Sequence, residues 1–231
     1  MMPAAAILLA GGRGTRLGSL TNATPKPLLH VAGRPFVFYV LDQLVAAGLT
    51  RVILSTGYLA GQFEQVIGSC YGGLDVRYVV EEEPLGTGGA IMRCLQVLGE
   101  RAFVLNADTL FRISFPRMLA LHESTQADIT VAVREAPDAF RYGTVGLRGN
   151  RIVTFGQGGA AGAGLINGGI YLLDPRVCAR APAGTVFSFE REFLPGVLTT
   201  LFVAGYPDSA YFIDMGVPED FGRAQTELRD R

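Results

Sequence analysis

The N-terminal half of the chain alternates short apolar runs with longer segments whose apolar residues recur at helical spacing. Short bounded apolar runs are typical of buried strands, and apolar residues at intervals of three and four are typical of a helix with one buried face. The runs predict strands at Ala4–Ala10, Arg51–Ser55, Val76–Val80 and Phe103–Asn106. The helical spacing predicts helices from Pro35 to Gly48, Tyr58 to Ile67 and Gly86 to Leu98.

This alternation of strand and helix with short connections predicts an α/β fold. Right-handed crossovers would give a Rossmann-like, mostly parallel, twisted sheet with helices on both faces. Ligands of such sheets bind beyond the carboxyl ends of the strands. Gly11, Glu81 and Asp108 all fall at those ends. We therefore expect one crevice to bring these three distant segments together.

The pattern changes after Asp108, where short β-rich segments become frequent. We expect antiparallel strands there, forming a small lobe beside the main sheet. The predicted strands are Ile129–Val133, Thr144–Leu147, Ile152–Phe155, Leu165–Tyr171, Leu201–Ala204 and Tyr211–Ile213. The predicted helices are Phe115–His122, Phe189–Leu198 and Pro218–Leu228.

Composition supports one folded domain and argues against several classes of partner. The chain has 231 residues, 49% of them hydrophobic, and a formal net charge of −1. A substantial core is possible, and no excess of positive charge favours nucleic acid or an anionic membrane. The N-terminal apolar stretch is too short to span a membrane and lacks the features of a secretory signal. We expect a cytoplasmic protein with no nucleic-acid or membrane partner.

The first predicted strand runs directly into the glycine-rich stretch Gly11-Gly12-Arg13-Gly14-Thr15-Arg16. Glycines lack Cβ atoms, so successive backbone N–H groups can turn toward one concavity and a polyanion can approach closely. Arg13, Arg16 and Lys26 add positive charge, the arginines as planar forks and the lysine as a point charge. These features predict a loop suited to a triphosphate, with a simple tight turn as the alternative.

Spacing excludes two better-known phosphate loops. A dinucleotide fingerprint needs a third glycine where Leu17 stands and an acidic residue about twenty positions on. A Walker loop needs a lysine directly after its second glycine, and no lysine precedes Lys26. Neither a dehydrogenase nor a P-loop ATPase fits.

The stretch Gly11–Leu17 with the downstream Pro25-Lys26-Pro27 resembles the signature of the sugar-phosphate nucleotidyltransferases. The likeness continues through Glu81–Gly89, Asn106–Thr109, Asn167–Tyr171 and Phe212–Gly216. It implies a nucleotide-diphospho-sugar transferase fold in a single domain, 1–231. The nucleotide half would span about 1–110 and the sugar-phosphate half about 111–231. It also implies a monomeric or homodimeric enzyme that uses Mg²⁺ to join a sugar 1-phosphate to a nucleoside triphosphate.

In such a transfer the attacking phosphate oxygen is already anionic, so positioning and charge neutralisation matter more than a strong base. The resemblance assigns catalysis to Lys26, Arg16 and Asp108, with Lys26 stabilising the α-phosphate. It assigns Mg²⁺ to Asp108 and Asp214, whose carboxylates would be hard oxygen ligands. The alternatives are a helix cap for Asp108 and a turn residue for Asp214.

The resemblance also implies a set of substrate-binding residues. They are Leu9, Ala10, Gly11, Gly12, Arg13, Gly14, Thr15, Arg16, Lys26, Glu81, Gly86, Thr87 and Asn106, together with Gly143, Asn167 and Glu190, of which the last three are the candidates for the sugar phosphate. One part of the pattern is missing. Where many relatives carry Glu-Lys-Pro, this chain has Gly156-Gln157-Gly158, and Arg141 or Arg151 is the candidate substitute for the lost lysine.

Glu81 bears on the identity of the base. A carboxylate only accepts hydrogen bonds, and guanine offers two adjacent donors, N1–H and the 2-amino group. Thymine and uracil would place carbonyls against the same negative charge. We expect GTP as substrate, with a heptose or hexose 1-phosphate as acceptor. UTP or dTTP, a non-catalytic nucleotide-sugar-binding homologue, and a merely solvated strand end at Glu81 are the alternatives.

Overall fold

The computed structural model describes residues 3–12, 14–139, 144–156, 162–181 and 186–229. The strands are β1 (Ala5–Leu9), β2 (His30–Val31), β3 (Arg34–Pro35), β4 (Arg51–Thr56), β5 (Cys70–Tyr71), β6 (Leu74–Val80), β7 (Ala102–Asn106), β8 (Thr109–Phe111), β9 (Ile129–Ala136), β10 (Val145–Arg148), β11 (Arg151–Phe155), β12 (Gly164–Leu173), β13 (Val203–Pro207) and β14 (Phe212–Asp214). The α-helices are α1 (Val37–Ala46), α2 (Gly61–Ile67), α3 (Gly86–Leu98), α4 (Phe115–Ser124), α5 (Leu194–Val197) and α6 (Pro218–Glu227).

Ten of these strands form one sheet in the order β10-β11-β13-β9-β12-β7-β1-β4-β6-β5. Strands β7, β1, β4 and β6 are parallel neighbours and make up the expected Rossmann-like part. Strand β12 runs antiparallel to both of its neighbours, β7 and β9. The strands expected after Asp108 therefore extend the main sheet, because β12 pairs on both sides, and β13 departs from the expected antiparallel arrangement because it runs parallel to β9. Small antiparallel sheets also form between β8 and β14 and between β2 and β3.

Helices cover both faces of the sheet, as the sequence predicts. Successive strand residues point to opposite faces, and in β1 Leu8 packs in one apolar cluster with Leu44 of α1. Ile7, its neighbour, packs in a second cluster with Ile91 of α3. Helices α4 and α6 contribute to the first cluster and the segment 189–197 contributes to the second. The prediction of an α/β fold with two covered faces is confirmed.

Several helix boundaries differ from those predicted, including the start of α2 at Gly61 in place of Tyr58, and two of the differences have clear local reasons. Helix α1 begins at Val37 because Arg34 and Pro35 pair with His30 and Val31 in a short hairpin. The predicted helix over Phe189–Leu198 is split, since Phe189–Phe193 is π-helical and only Leu194–Val197 is α-helical. By contrast, α3 has the predicted bounds, Gly86–Leu98. None of the helices in the described part of the chain is long and apolar enough to cross a membrane.

Candidate active site

A cleft of about 430 Å³ opens at the carboxyl ends of β1, β6 and β7. The cleft is lined by fourteen of the residues that the sequence analysis assigned to the site: Leu9, Ala10, Gly11, Gly12, Gly14, Thr15, Arg16, Lys26, Glu81, Gly86, Thr87, Asn106, Asp108 and Glu190. Pro27, Pro84, Ala90 and Gly216 line it as well. Asn167 and Asp214 are not among the lining residues. Arg13 and Gly143 lie outside the described residues.

The glycine-rich loop leaves β1 and turns at Gly14, which has a φ of 63°. A Cβ atom at Gly14 would lie 3.0 Å from Cγ2 of Thr21 and 3.1 Å from Cβ of Lys26. Glycine is therefore required here both for the left-handed backbone and for the close approach of the Lys26 segment. A 3₁₀ helix over Thr15–Thr21 follows and returns the chain toward that segment.

Lys26 lies between two prolines at the start of a short 3₁₀ turn, and it is only 5% exposed to solvent. Its Nζ donates a hydrogen bond of 2.5 Å to Oδ2 of Asp108 and lies 3.8 Å from Oδ1 of Asp214. Lys26 is also the only lysine among the 20 basic residues of the sequence. A lysine buried to this extent is more than a surface residue between two prolines.

The two aspartates meet because β8 and β14 pair in an antiparallel sheet. Asp214 is the register partner of Thr109, and the backbone N–H of Met215 donates to the carbonyl of Asp108 at 3.0 Å. Strand β8 was not predicted from the sequence, because a three-residue run after a candidate helix cap gives too little periodicity. The cap of the following helix is Ser114, whose hydroxyl accepts from the N–H of Arg117.

Burial raises the pKa of Asp214 to about 6, and the negative charge of Asp108 acts in the same direction. Lys26 and Arg16 act in the opposite direction. Two partly desolvated carboxylates that repel each other are a suitable donor pair for a divalent cation. In the described part of the chain no group of three or more His, Cys, Asp or Glu side chains could hold a metal. Two carboxylates supplemented by phosphate oxygens and water fit Mg²⁺.

Glu81 follows β6 directly and is held by a donor on each carboxylate oxygen. The Ser55 hydroxyl donates to Oε1 at 2.9 Å, and the Leu85 N–H donates to Oε2 at 3.0 Å. Glu82 and Glu83 are exposed. Of the three consecutive glutamates, Glu81 is thus oriented by the protein at the edge of the cleft, and it is more than a solvated strand end.

Glu190 links the start of α3 to the second half of the chain. Its Oε2 accepts from the hydroxyls of Thr87 at 2.6 Å and Ser188 at 3.2 Å. Its Oε1 accepts from the hydroxyl of Tyr171 at 3.1 Å. Asn167 donates from Nδ2 to the same tyrosine oxygen at 2.6 Å. Asn167 therefore joins the site through Tyr171, and does not itself line the cleft.

Tyr171 is fully buried, and burial raises its pKa well above the usual value of 10.0, with the charge of Glu190 acting in the same direction. The hydroxyl therefore stays protonated and can donate to Glu190 while it accepts from Asn167. Sequence patterns missed this residue because a tyrosine inside an apolar strand is usually a core residue.

The glycines of the Gly86-Thr87-Gly88 stretch permit close packing against the segment at Phe187. A Cβ atom at Gly86 would lie 2.4 Å from the Phe187 carbonyl oxygen, and one at Gly88 would lie 2.1 Å from its ring. The Gly88 N–H donates to the Phe187 carbonyl at 2.9 Å. These contacts bring Thr87 within hydrogen-bonding distance of Glu190.

A family model described as nucleotidyl transferase matches residues 5–231. The chain belongs to the nucleotidyl transferase family. A D-glycero-alpha-D-manno-heptose 1-phosphate guanylyltransferase of Aneurinibacillus thermoaerophilus is 38% identical, covering 97% of this chain and 98% of that protein. A mannose-1-phosphate guanylyltransferase of Mycobacterium tuberculosis is also 38% identical, covering 96% of this chain and 64% of that protein.

Solved structures give the same family assignment. HddC from Yersinia pseudotuberculosis superposes with a TM-score of 0.85 at 32% identity, covering 96% of this chain and 98% of that one. The same protein has been solved in complex with GMP-PN, and this structure superposes with a TM-score of 0.84. The nucleotidyl transferase resemblance inferred from the sequence motifs is confirmed.

Many relatives carry a lysine in a Glu-Lys-Pro motif where this nucleotidyl transferase has Gln157. Arg151 does not take the place of that lysine. The Nη2 of Arg151 donates to the backbone carbonyls of Leu198 and Leu201 at 3.0 and 3.3 Å, and its guanidinium lies over the ring of Phe202. Arg151 therefore serves the fold of its own segment. Arg141 and Gln157 lie outside the described residues.

Proposed function

We propose that this protein transfers GMP from GTP to a sugar 1-phosphate, giving a GDP-sugar and pyrophosphate. The preferred acceptor is D-glycero-α-D-manno-heptose 1-phosphate, by analogy with the relative from A. thermoaerophilus, which covers nearly the whole chain. The observation that carries the proposal is the buried Lys26, which contacts Asp108 and faces Asp214 beside the glycine-rich loop. A phosphate loop, a buried cation and two converging carboxylates together suit phosphoryl chemistry.

In the proposed reaction an oxygen of the sugar 1-phosphate attacks the α-phosphorus of GTP. The new P–O bond forms as the bond from the α-phosphorus to the bridging oxygen of pyrophosphate breaks. The nucleophile is an anion at neutral pH, so no side chain has to remove a proton. Lys26 and Arg16 would offset the negative charge that develops around the α-phosphate, in a cleft where such contacts are strong.

Asp108 and Asp214 would hold Mg²⁺, which, when bound, supplies positive charge to the phosphate oxygens and orients the triphosphate. Lys26 Nζ is in contact with Asp108 in the same cluster. We infer that the ammonium group also keeps the two carboxylates close to each other, because it lies within ion-pair distance of both.

Glu81 would select guanine. Leu9, Ala10, Gly11, Gly86 and Asn106 line the same cleft as Glu81. The N1–H and 2-amino donors of guanine can both reach one carboxylate, whereas uracil and thymine would present a carbonyl to it. This contact favours GTP over UTP or dTTP.

Mannose 1-phosphate is a second candidate acceptor, because the M. tuberculosis relative that acts on it is equally identical to this chain. On the sugar side we assign Glu190 and the residues that fix it, Thr87 and Tyr171. The division into a nucleotide half at about 1–110 and a sugar-phosphate half at about 111–231 is part of this proposal. The intact Lys26, Asp108 and Asp214 disfavour a non-catalytic homologue.

Pyrophosphate release tests the proposal directly. Purified protein and Mg²⁺ would be incubated with GTP, UTP or dTTP, each with heptose 1-phosphate, mannose 1-phosphate or glucose 1-phosphate. We expect release with GTP and one of the first two sugars, and identification of the GDP-sugar by mass spectrometry. Release with none of the nine combinations would reject the proposal, and a preference for UTP or dTTP would reject its guanylyl part.

A further inference from the structure

Ser55 lies at the carboxyl end of β4 and touches both segments that border the proposed base site. Its backbone carbonyl accepts from the N–H of Ala10 at 2.8 Å, and its hydroxyl donates to Oε1 of Glu81 at 2.9 Å. The parallel register places it between Leu9 of β1 and Val79 of β6. Ser55 is 1% exposed and does not line the cleft, so it can act only through its neighbours.

The hydroxyl of Ser55 restricts the orientation of the Glu81 carboxylate. The Leu85 N–H donates to Oε2, so each carboxylate oxygen has one protein donor among the residues that the structure describes. A carboxylate can accept about four hydrogen bonds, two on each oxygen. With one donor already on each oxygen, each oxygen of Glu81 can accept one more hydrogen bond. A Cβ atom at Gly11 would lie 3.0 Å from Oε1, so the glycine leaves room for this carboxylate beside the loop.

The surroundings of Ser55 support a fixed direction for its hydroxyl. The buried thiol of Cys94 is a neighbour of Ser55, and burial raises the pKa of this thiol to about 11. The thiol is therefore neutral and does not compete with Glu81 as a charged acceptor. The single hydroxyl proton of Ser55 is donated to the Glu81 carboxylate, and this bond is strengthened by the negative charge of its acceptor.

We propose that Ser55 is a positioning residue for base selection. Its hydroxyl fixes the Glu81 carboxylate so that the two remaining acceptor directions meet the two donors of guanine. The inference rests on the proposed guanylyl transfer and adds to it a residue that never touches the nucleotide. Without the hydroxyl, the carboxylate is held by the Leu85 N–H alone and can rotate away from the bidentate geometry.

The test measures nucleotide affinity, and it needs no sugar phosphate. Binding of GTP and of UTP, each with Mg²⁺, would be measured by isothermal titration calorimetry for the wild type and Ser55→Ala. We expect the ratio of GTP affinity to UTP affinity to fall about 5- to 20-fold in the variant. A folded Ser55→Ala protein with the wild-type ratio would overturn the inference.

The matched control is Thr56→Val, one residue further along β4. Thr56 is also buried, and its hydroxyl has no hydrogen-bond partner among the described residues. Removing that hydroxyl changes neither Glu81 nor Ala10, so the affinity ratio should stay at the wild-type value. A ratio that fell equally in Thr56→Val would show a general effect of strand packing and would also overturn the inference.

A double-mutant cycle separates action through Glu81 from a direct effect. In a Glu81→Gln background, Ser55→Ala should change the ratio by less than about twofold, because the group it positions is gone. An undiminished effect there would contradict the proposal. If Ser55→Ala does not fold, Ser55→Cys replaces it, since cysteine keeps the shape and is a weaker donor.

Failure of the proposed function would be visible in the wild type alone, as equal affinity for GTP and UTP. Failure of the inference would instead be a clear GTP preference in the wild type that survives in Ser55→Ala.

Discussion

The hydroxyl of Thr87 donates a hydrogen bond of 2.6 Å to Glu190, a residue 103 positions further along the chain. The same hydroxyl oxygen accepts from the backbone N–H of Phe189 at 2.9 Å. The first turn of α3, which belongs to the proposed nucleotide half, is thus bonded directly to the start of the π-helical segment. A change at Thr87 should therefore affect the sugar phosphate.

Thr87→Val removes both of these bonds with almost no change in shape. We expect the KM for the sugar 1-phosphate to rise about 10-fold, since loss of a hydrogen bond to a charged group is worth on the order of 1.5 kcal/mol. The KM for GTP should stay within about twofold. Steady-state kinetics with each substrate varied in turn would show the difference. Thr87→Ser keeps the hydroxyl and should behave as wild type; a matching defect in Thr87→Ser would contradict this role.

Lys26→Ala should lower kcat by about 100- to 1000-fold, the usual loss when one preorganised charge is removed from a transition state. Lys26→Arg should be similarly slow, because a planar guanidinium does not reproduce the point contact of the ammonium, which lies 2.5 Å from Asp108. Rapid-quench single-turnover rates would measure both variants. Arg77→Ala, which removes an exposed cation, is the control. A Lys26→Arg enzyme with the wild-type rate would mean that charge alone suffices.

The single lysine also allows a direct observation. Reductive methylation with ¹³C-formaldehyde would label Lys26 and the chain's amino terminus, giving at most two groups of NMR signals. We expect GTP with Mg²⁺ to protect Lys26 from modification and, when added to labelled protein, to shift its signal. An unprotected, unshifted Lys26 would place the triphosphate elsewhere.

Asp108→Asn and Asp214→Asn should each raise the Mg²⁺ concentration needed for half-maximal rate by at least about 10-fold. Each change replaces an anionic oxygen ligand of Mg²⁺ by a weaker neutral one. Initial rates over a range of Mg²⁺ concentrations at fixed GTP would measure it. Asp75→Asn, at an exposed ion pair with Arg77, serves as the control. Unchanged Mg²⁺ dependence in both variants would remove the metal from this pair of carboxylates.

Gly88→Ala should destabilise the fold by about 1 to 3 kcal/mol, because the new methyl group would overlap the Phe187 ring. Gly222→Ala in α6 is the matched control, since a Cβ atom there meets nothing within 4 Å. That change should instead stabilise the protein by about 0.5 to 1 kcal/mol. Urea unfolding curves would compare the two. Equal stability of the variants would show that the Phe187 segment moves aside without cost.

His122 should make the stability of the fold depend on pH. Burial lowers its pKa from 6.5 to about 4, and the positive charge of Arg101 acts in the same direction. Between pH 6.5 and about pH 4, His122 binds a proton in the unfolded chain but not in the folded protein. The free energy of unfolding therefore falls as the pH is lowered from about 6.5 to about 4. The loss should amount to about 2 to 3 kcal/mol.

The measurement compares urea midpoints at pH 7 and pH 5 in the wild type and in His122→Gln. The variant should lose less stability between these pH values than the wild type does. His30→Gln removes an exposed imidazole and should keep the wild-type dependence. Parallel pH profiles for the wild type and His122→Gln would disprove the role of His122.

Local sequence patterns were sufficient for the parallel part of the fold, and the family resemblance supplied most of the residues that line the cleft. The bounds of α3 could be predicted because its glycines, apolar spacing and end at Gly99 agree with one another. The meeting of Asp108 and Asp214 could not be derived from local pattern, since it depends on a three-residue strand paired with a segment near the other end of the chain. Family likeness supplied that pair.

Ser55 and Tyr171 show the second limit of sequence reasoning. Both lie inside apolar strands, where a hydroxyl gives no periodic signal, and their partners are distant in sequence. Asn167 was assigned to the site by its motif, yet its amide is turned to Tyr171 and to the N–H of Gly169. The direction of a side chain depends on such partners, and these become visible only when the strands are paired.

The pairing of β12 with β7 on one side and β9 on the other has a consequence for how substrates enter and leave. Residues Ala102–Leu105 of β7 are paired in register with Ile170–Leu173 of β12. The proposed nucleotide half and the proposed sugar-phosphate half therefore share one continuous β-sheet, which leaves no hinge between β7 and β12. Closure over a substrate must come from loops and side chains. A fragment that ends near residue 110 would lack β12, so β7 would become an unpaired edge strand. We expect this fragment to aggregate unless a second fragment, from about residue 111 onward, is present during refolding.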